Sequence, residues 1–153
     1  KQVWLVMAET SQSDELEFLA GALVSPSMVI TGRSTENPDL FKTPLSPDSK
    51  PPHWMAAKVC DTETLALSQD VERALMELKI QMGKPSSMNA LERTVLRILI
   101  IHSWRRVVLK VPALPDFVFP DGWAGAECRR LMNDLLDRLG KADLGDLEGE
   151  IGN

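Results

Sequence analysis

The sequence predicts an α+β fold in which a small sheet-forming region precedes a helical region. Two short runs of β-branched and apolar residues, at 2–8 and 27–32, flank a helical pattern near the start of the chain. Residues 37–53 hold half of the ten prolines, and three amphipathic helical patterns follow them. The 153 residues suffice for one domain, or two small ones, with a hydrophobic core.

The first element is a buried strand at residues 2–8, and a helix capped by Ser13 is expected to follow it. Apolar residues recur at helical spacing in this helix, at Leu16, Leu19, Ala20 and Leu23. Ser25-Pro26 should end it before a second strand at 27–32, which completes one βαβ-like unit. The proline-rich segment 37–53 is predicted to be a loop, and 54–59 a further short strand.

Three helices are expected in the second half of the chain. The first follows a cap at Asp61, ends at Gly83 and carries an apolar stripe of Leu67, Val71, Leu75, Leu78 and Met82 on one face. The second begins at Asn89 with a capping box to Glu92 and runs to about residue 111, with an apolar stripe of Leu91, Val95, Ile98 and Leu99. The third follows Trp123 and ends at Gly140, with a stripe of Cys128, Leu131, Met132, Leu135, Leu136 and Leu139.

Composition narrows the class of protein. A net charge of −5 argues against nucleic-acid binding by this chain alone. Cys60 and Cys128 are isolated, which favours a reducing cytoplasm over a disulfide framework, and their spacing to the two histidines does not suit zinc. No apolar run approaches the length of a membrane span, and the sequence lacks the common hydrolase, nucleotide-binding and metalloprotease motifs. We therefore expect neither an enzyme nor a membrane protein, and no cofactor or metal.

The second of these helices carries an unusual cluster of basic side chains. Between residues 84 and 111 there are six basic residues and one acidic residue. His102 follows the apolar stripe at helical spacing, so it is expected to be buried, and Arg105 and Arg106 lie one turn beyond it. Such a fork of arginines is suited to a carboxylate or phosphate. A lone histidine on an apolar stripe is more often a hydrogen-bonded core residue, and the arginines could pair with acids elsewhere in the chain.

Trp104 and Trp123 also have two interpretations. Each could provide a stacking surface for a flat ligand, and each could be an anchor in the core.

The segment from Arg97 to Arg129 resembles the C-terminal domain of PaaX-type regulators. Three elements of that domain's pattern occur in order and at the right spacing: His-x-aromatic-Arg-Arg at 102–106, Pro-x-Leu-Pro at 112–115, and Pro-x-x-Trp-x-Gly at 120–125. Residues 2–6 are similar, more loosely, to a strand of the central ferredoxin-like (Cas2-like) domain of the same regulators. Ser103 and Lys110-Val111 depart from the pattern, since the family usually has Glu and Arg-Asp at these places.

The resemblance implies a homodimeric bacterial repressor of phenylacetate-type aromatic-acid catabolism in the cytoplasm. Such a repressor is released from its operator by an acyl-CoA, phenylacetyl-CoA in the namesake, and it contacts DNA through a winged helix-turn-helix that this chain does not contain. Residues 1–60 are then part of the ferredoxin-like domain, 61–140 are a helical effector and dimerisation domain, and 141–153 are an acidic glycine-rich tail. Because the departures remove two acids near the arginines, the effector could differ from the family's usual one.

On this interpretation seven side chains bind the effector. They are His102, Trp104, Arg105, Arg106, Arg97, Trp123 and Arg129. A second hypothesis is a purely structural dimerisation module, in which His102 and the arginines form a buried polar network. A third is a metal-dependent nuclease related to the Cas2-like fold. It requires a carboxylate at the end of that fold's first strand, where this sequence is truncated.

Overall fold

A computed structural model describes residues 2–9, 13–83 and 87–140 and confirms the α+β class. The chain divides into two compact units. Of the described residues, the sheet unit comprises 2–9, 13–66 and 108–123, and the helical unit comprises 67–83, 87–107 and 124–140. The predicted tail at 141–153 lies outside the described residues.

The sheet unit is built on four antiparallel strands. They are β1 (Val3–Met7), β2 (Gly21–Ser25), β3 (Met28–Thr31) and β4 (Phe41–Leu45), in the order β2-β3-β1-β4. β1 and β2 both pair antiparallel with β3, so they run in the same direction, and helix α1 (Ser13–Glu17) lies between them in the chain. This arrangement is the split βαβ of ferredoxin-like folds. The predicted strands at 2–8 and 27–32 are present as β1 and β3, with α1 between them in the chain. They run antiparallel, so the predicted βαβ-like unit was wrong in its second strand: the strand parallel to β1 is β2, which was predicted to be helical. The side chain of the predicted cap, Ser13, lies outside the described part of the chain.

The helix after β1 is shorter than the spacing of its leucines predicted. It ends at Glu17, and residues 21–25 form β2, in which Ala22 and Val24 are buried and Leu23 between them is exposed. A Cβ on Gly21 would lie 2.1 Å from the Ile30 carbonyl oxygen, so the chain approaches β3 more closely here than any side chain would allow. The apolar residues that suggested a continued helix instead alternate across a strand.

Two further predictions in the sheet unit were wrong. Residues 41–45, placed in a proline-rich loop, form β4 and include Pro44. Proline is tolerated there because β4 is an edge strand, which needs hydrogen bonds on one side only. Residues 54–59, predicted as a strand, belong to helix α2 (His53–Val59), whose Met55 and Val59 are buried in the core of the sheet unit.

Residues 108–123 complete that core. A short 3₁₀ helix, Asp116–Val118, leads into Phe119, and both Val118 and Phe119 pack in the same cluster as Val3 and Ile30. This segment follows the long helix of the other unit in sequence, yet its contacts are with the sheet. Chain order alone therefore does not give the division into units.

Three helices dominate the helical unit: α3 (Thr62–Gln81), which begins in the sheet unit, α4 (Ala90–Val108) and α5 (Gly125–Leu139). The predicted cap of α3 is present, since the Thr64 amide donates to Asp61 Oδ1 at 2.7 Å. The predicted capping box of α4 is present too. The Glu92 amide donates to Asn89 Oδ1 at 2.8 Å, and the Asn89 amide donates to Glu92 Oε2 at 3.0 Å. Both helices therefore begin where the sequence predicts.

The core of the helical unit contains the predicted stripe of α5. Its innermost members, Cys128, Leu131, Leu135 and Leu139, are almost fully buried. Gly140, with a φ of 62°, ends the helix in a conformation that favours glycine. An ion pair of 2.8 Å from Lys79 Nζ to Asp134 Oδ2 links α3 to α5, and this contact holds the pKa of the Asp134 carboxyl below its usual value.

Helix α4 buries a different side from the one predicted. Its predicted apolar stripe is exposed, whereas Ile100, Trp104 and Val107 form the buried face. His102 lies with the stripe and is exposed as well, so its predicted burial was wrong. Because apolar residues occur on more than one side of α4, among its charged residues, helical periodicity could not identify which side would be buried. Within the described residues, no helix is long and apolar enough to cross a membrane.

Candidate functional site

The helical unit contains a cleft of about 560 Å³ between α3 and α4. Its walls are mainly aliphatic, from Leu67, Val71, Leu75 and Leu78 on α3 and from Leu96, Leu99 and Ile100 on α4. The volume lies in the range of pockets that hold small organic ligands, roughly 300–1,000 Å³. The α3 side of this cleft comes from the predicted apolar stripe of that helix.

Three polar side chains line the cleft besides its aliphatic walls. Asp70 forms an exposed ion pair with Arg73 at 3.1 Å, and Ser103 Oγ donates to the Leu99 carbonyl at 2.8 Å. Arg106 is exposed, and within the described residues no hydrogen bond or ion pair engages its guanidinium. The cleft thus combines apolar walls with one cation that remains available to an anionic ligand.

Arg97, one of the seven predicted ligand residues, has a different environment. Its Nη1 donates to the carbonyl oxygens of Leu136 and Gly140, each at 2.7 Å. These carbonyls are at the C-terminal end of α5, where a helix lacks its own donors and a cation is favourable. The geometry gives Arg97 a structural role as the cap that holds α5 against α4.

Trp104 and Arg129 lie together on the buried side of α4. Trp104 is only 8% exposed, and the Arg129 guanidinium carbon lies 5.8 Å from the centre of its ring, a cation–π distance. Neither residue lines the α3–α4 cleft. Trp104 is therefore an anchor of the core rather than an open wall for a ligand.

Trp123 belongs to the sheet unit. Its ring stacks on Phe119 with 4.4 Å between centroids and 10° between planes, and its Nε1 donates to Asp116 Oδ1 at 2.9 Å. These contacts fix both the face and the polar edge of the indole.

His102 and Arg105 lie on the exposed side of α4, opposite Ile100 and Trp104. Arg106 is thus the one predicted ligand residue that lines the cleft. The seven side chains do not converge on one site.

A second hollow, of about 450 Å³, lies beside the first half of α4. It is lined by Met88, Leu91, Glu92, Val95 and Leu96. Apart from the carboxylate of Glu92 its lining is apolar, and it adjoins the exposed stripe of the helix. This hollow was not predicted from the sequence, because the stripe was expected to be buried.

The described residues hold no cluster of three or more His, Cys, Asp or Glu side chains that could bind a metal ion. Cys60 and Cys128 are buried, and burial raises the pKa of each thiol to about 11, helped for Cys60 by the adjacent Asp61 carboxylate. Both sulfurs are therefore protonated thiols at neutral pH.

Comparison with known proteins agrees with the resemblance seen in the sequence. Residues 66–144 match the PaaX-like protein C-terminal domain. A segment of 49 residues is 43% identical to the transcriptional repressor PaaX of Escherichia coli (strain K12), and it spans 32% of this chain and 16% of that repressor. The chain therefore matches about a sixth of the relative's length. Because the domain match includes more than half of its residues, this chain belongs to the PaaX-like family.

Proposed function

We propose that this chain is the effector-sensing and dimerisation region of a bacterial transcriptional repressor of aromatic-acid catabolism. Two findings support the proposal: the C-terminal domain of the PaaX-like family, and the sequence identity to a transcriptional repressor. Operator DNA would be bound by a winged helix-turn-helix outside these residues, which is in keeping with the negative net charge of the chain. The proposed role is regulatory and cytoplasmic, and it needs no catalytic step.

The observation that carries the effector proposal is the α3–α4 cleft with Arg106 at its edge. An acyl-CoA has an apolar or aromatic acyl group, which the aliphatic walls of the cleft would accept, and anionic phosphates. A guanidinium can bind a phosphate or carboxylate through two parallel hydrogen bonds, so Arg106 is suited to the anionic part. The cleft thus offers complementary surfaces to both ends of such a ligand.

Release from DNA requires the effector to favour one arrangement of the protein over another. A ligand that fills the space between α3 and α4 would favour the arrangement in which these helices stand apart enough to admit it. The coupling needed between effector and DNA is modest, about 1–3 kcal/mol in typical allosteric proteins. A shift of α3 or α4 could supply a free-energy difference of this size, because it would also change the contacts that each helix makes on the side away from the cleft.

Isothermal titration of the 153-residue chain with phenylacetyl-CoA, coenzyme A and phenylacetate tests the effector site. We expect binding of the thioester, and a Kd raised roughly 10-fold to 100-fold by Arg106→Ala, as loss of a charge-assisted hydrogen bond predicts. Arg105→Ala is the matched control, since Arg105 is an exposed arginine on the same helix that does not line the cleft. Equal losses in the two variants would contradict the placement of the site, and no heat with any compound would contradict the acyl-CoA assignment.

A structural dimerisation module without a ligand is the second candidate. It is favoured by the contacts of Arg97, Trp104 and Trp123, which engage in capping and packing. Its buried polar network of His102 and the arginines is not favoured, because His102, Arg105 and Arg106 are exposed. A chain that dimerises yet binds none of the three compounds would support this candidate.

A further inference from the structure

Four large apolar side chains, Leu91, Val95, Ile98 and Leu99, lie on the solvent side of α4. Together with the polar residues Glu92, His102, Arg105 and Arg106 they form what we call the exposed face of α4. These four side chains are 46%, 46%, 60% and 54% exposed. Together they present on the order of a few hundred Å² of contiguous apolar surface, the size at which a patch on a soluble protein usually has a function. The face therefore calls for a covering surface.

The charges on this face are arranged so that the face complements itself. Glu92, Leu99 and Arg106 are spaced by seven residues, so they lie in one line along the helix, with the acid at one end and the base at the other. Leu91, Ile98 and Arg105 form a parallel line with the same spacing. If a second α4 lies antiparallel to the first, each line faces the same line of the partner helix. The basic end of each line then lies beside the other end of the partner's line.

We propose that two copies of this chain associate through the exposed faces of their α4 helices, antiparallel about a twofold axis near Ile98 and Leu99. In this arrangement Leu99 packs on the partner's Leu99, and Glu92 lies beside the partner's Arg106. The same pair occurs twice, as a twofold interface requires. The inference deepens the homodimer part of the proposed function by naming its surface, and it does not depend on the identity of the effector.

The hollow beside the first half of α4 fits this arrangement. It is lined by Leu91, Glu92 and Val95, which are the residues that the second half of the partner's α4 faces. The partner's His102 and Arg106 would enter it, with their aliphatic and ring atoms against Leu91 and Val95 and the guanidinium toward the carboxylate. Capping of α4 uses Glu92 Oε2, so Oε1 can accept a hydrogen bond from the partner.

The apolar area of the exposed face is too small for a specific dimer, and the interface needs the surrounding charged residues as well. A standard interface buries about 800 Å² on each partner and combines an apolar centre with a polar rim. The aliphatic stripe provides the centre. Glu92, His102, Arg105 and Arg106 provide the rim, and they also favour the antiparallel arrangement, since a parallel pair would bring like charges together.

Sedimentation equilibrium of the 153-residue chain without effector tests the interface. We expect a dimer, and a Kd for dimerisation raised at least about 100-fold by Ile98→Lys, which places two charges at the dry centre of the interface. Ile80→Lys is the matched control, because Ile80 is 78% exposed on α3 of the same unit. It should leave the Kd unchanged. Ile98 does not line the α3–α4 cleft, so its variant should still bind the effector of the proposed function if there is one.

A charge exchange tests the antiparallel pairing. Glu92→Arg and Arg106→Glu should each weaken the dimer roughly tenfold, because each places like charges together twice, and the double variant should recover most of the loss. Glu92→Gln, which keeps a side chain able to cap α4, separates loss of the interface from loss of the cap. Additive losses in the double variant would overturn the pairing.

Two results would overturn the interface itself. One is a dimer that Ile98→Lys and Ile80→Lys leave equally intact, since the chain would then associate through another surface. The other is a wild-type chain that stays monomeric at all accessible concentrations. The face would then belong to another occupant, such as the chain's own residues 141–153 or a different protein.

Discussion

Replacing Arg97 by alanine should destabilise the helical unit without direct loss of a ligand contact. The resemblance to PaaX-type regulators placed this residue among the effector ligands. In the structure its Nη1 instead donates to the carbonyls of Leu136 and Gly140, at 2.7 Å each. The substitution leaves both acceptors, at the end of α5, without this donor and removes a positive charge from the negative end of the helix.

The magnitude follows from the two hydrogen bonds. A bond from a charged donor contributes about 1.5–3 kcal/mol, but the two share one nitrogen and are partly accessible to water, so their effects do not simply add. With the charge at the helix terminus included, we expect a loss of roughly 2–3 kcal/mol in the free energy of unfolding. For a chain of this length that corresponds to a fall in Tm of roughly 4–12 °C.

Urea and thermal unfolding followed by far-UV circular dichroism measure this loss. Arg73→Ala is the control, since Arg73 is an exposed arginine whose ion pair with Asp70 should contribute little. Arg97→Lys should give an intermediate result, because a lysine keeps the charge but its Nζ lies one bond nearer to the main chain than the arginine Nη1 that makes both contacts. If Arg97→Ala unfolded like the wild type while losing effector binding, the structural role would be refuted and Arg97 would be a ligand residue.

Two other predictions concern a close backbone approach and two buried thiols. Gly21→Ala should cost about 1–3 kcal/mol of unfolding free energy, because its new Cβ would lie 2.1 Å from the Ile30 carbonyl oxygen. The control is Gly83→Ala, whose Cβ would meet nothing within 4 Å and which should change the unfolding free energy by less than about 0.5 kcal/mol. Equal losses in urea titrations of the two variants would contradict the close approach. The buried thiols of Cys60 and Cys128 should react with iodoacetamide at neutral pH only after unfolding. Their pKa rises from 9.0 to about 11 in the folded state, so between these pH values the folded chain binds more protons than the unfolded chain. The free energy of unfolding should therefore fall as the pH rises from 9 to 11. Rapid labelling of the native chain would contradict their burial.

The elements that depend on residues close together in the chain were predicted correctly. The capping box at Asn89 and Glu92 is formed by residues three apart, so it is complete within one turn, and it was found as predicted. The stripe of α5 was also correct, because the opposite side of that helix is charged and leaves a single apolar side to bury. In both cases the local pattern favours one arrangement over its alternatives.

Other elements depend on contacts that are distant in the chain. The residues of β2 repeat at a spacing that suits a short helix or a strand, and pairing with β3 decides between them. The prolines near β4 suggested a loop, and only its edge position in the sheet makes Pro44 acceptable in a strand. The correct structure follows from tertiary pairing, which periodicity does not contain.

The candidate site shows the same limit. Arg106 was predicted as an anion ligand from its place beside Arg105, and the structure puts it at the α3–α4 cleft. The apolar wall facing it on α3 was visible in the sequence as a stripe, but nothing in the sequence showed that part of this stripe would line an open cleft. His102 was misplaced because α4 could have buried either side.

The effector cleft and the proposed dimer face share Leu99 and Arg106, and this overlap links the two proposals. Arg106 lines the cleft, and in the antiparallel pair it also lies beside the partner's Glu92. One guanidinium cannot form its best contacts with an effector anion and with that carboxylate at once, so effector binding should weaken the dimer. By linkage the dimer must weaken effector binding by the same factor. A dimerisation Kd that rises when saturating thioester is added would show this competition, and Glu92→Gln should reduce the rise because it removes the charge that competes for Arg106. A Kd that falls instead would mean that the effector engages Arg106 without displacing the partner.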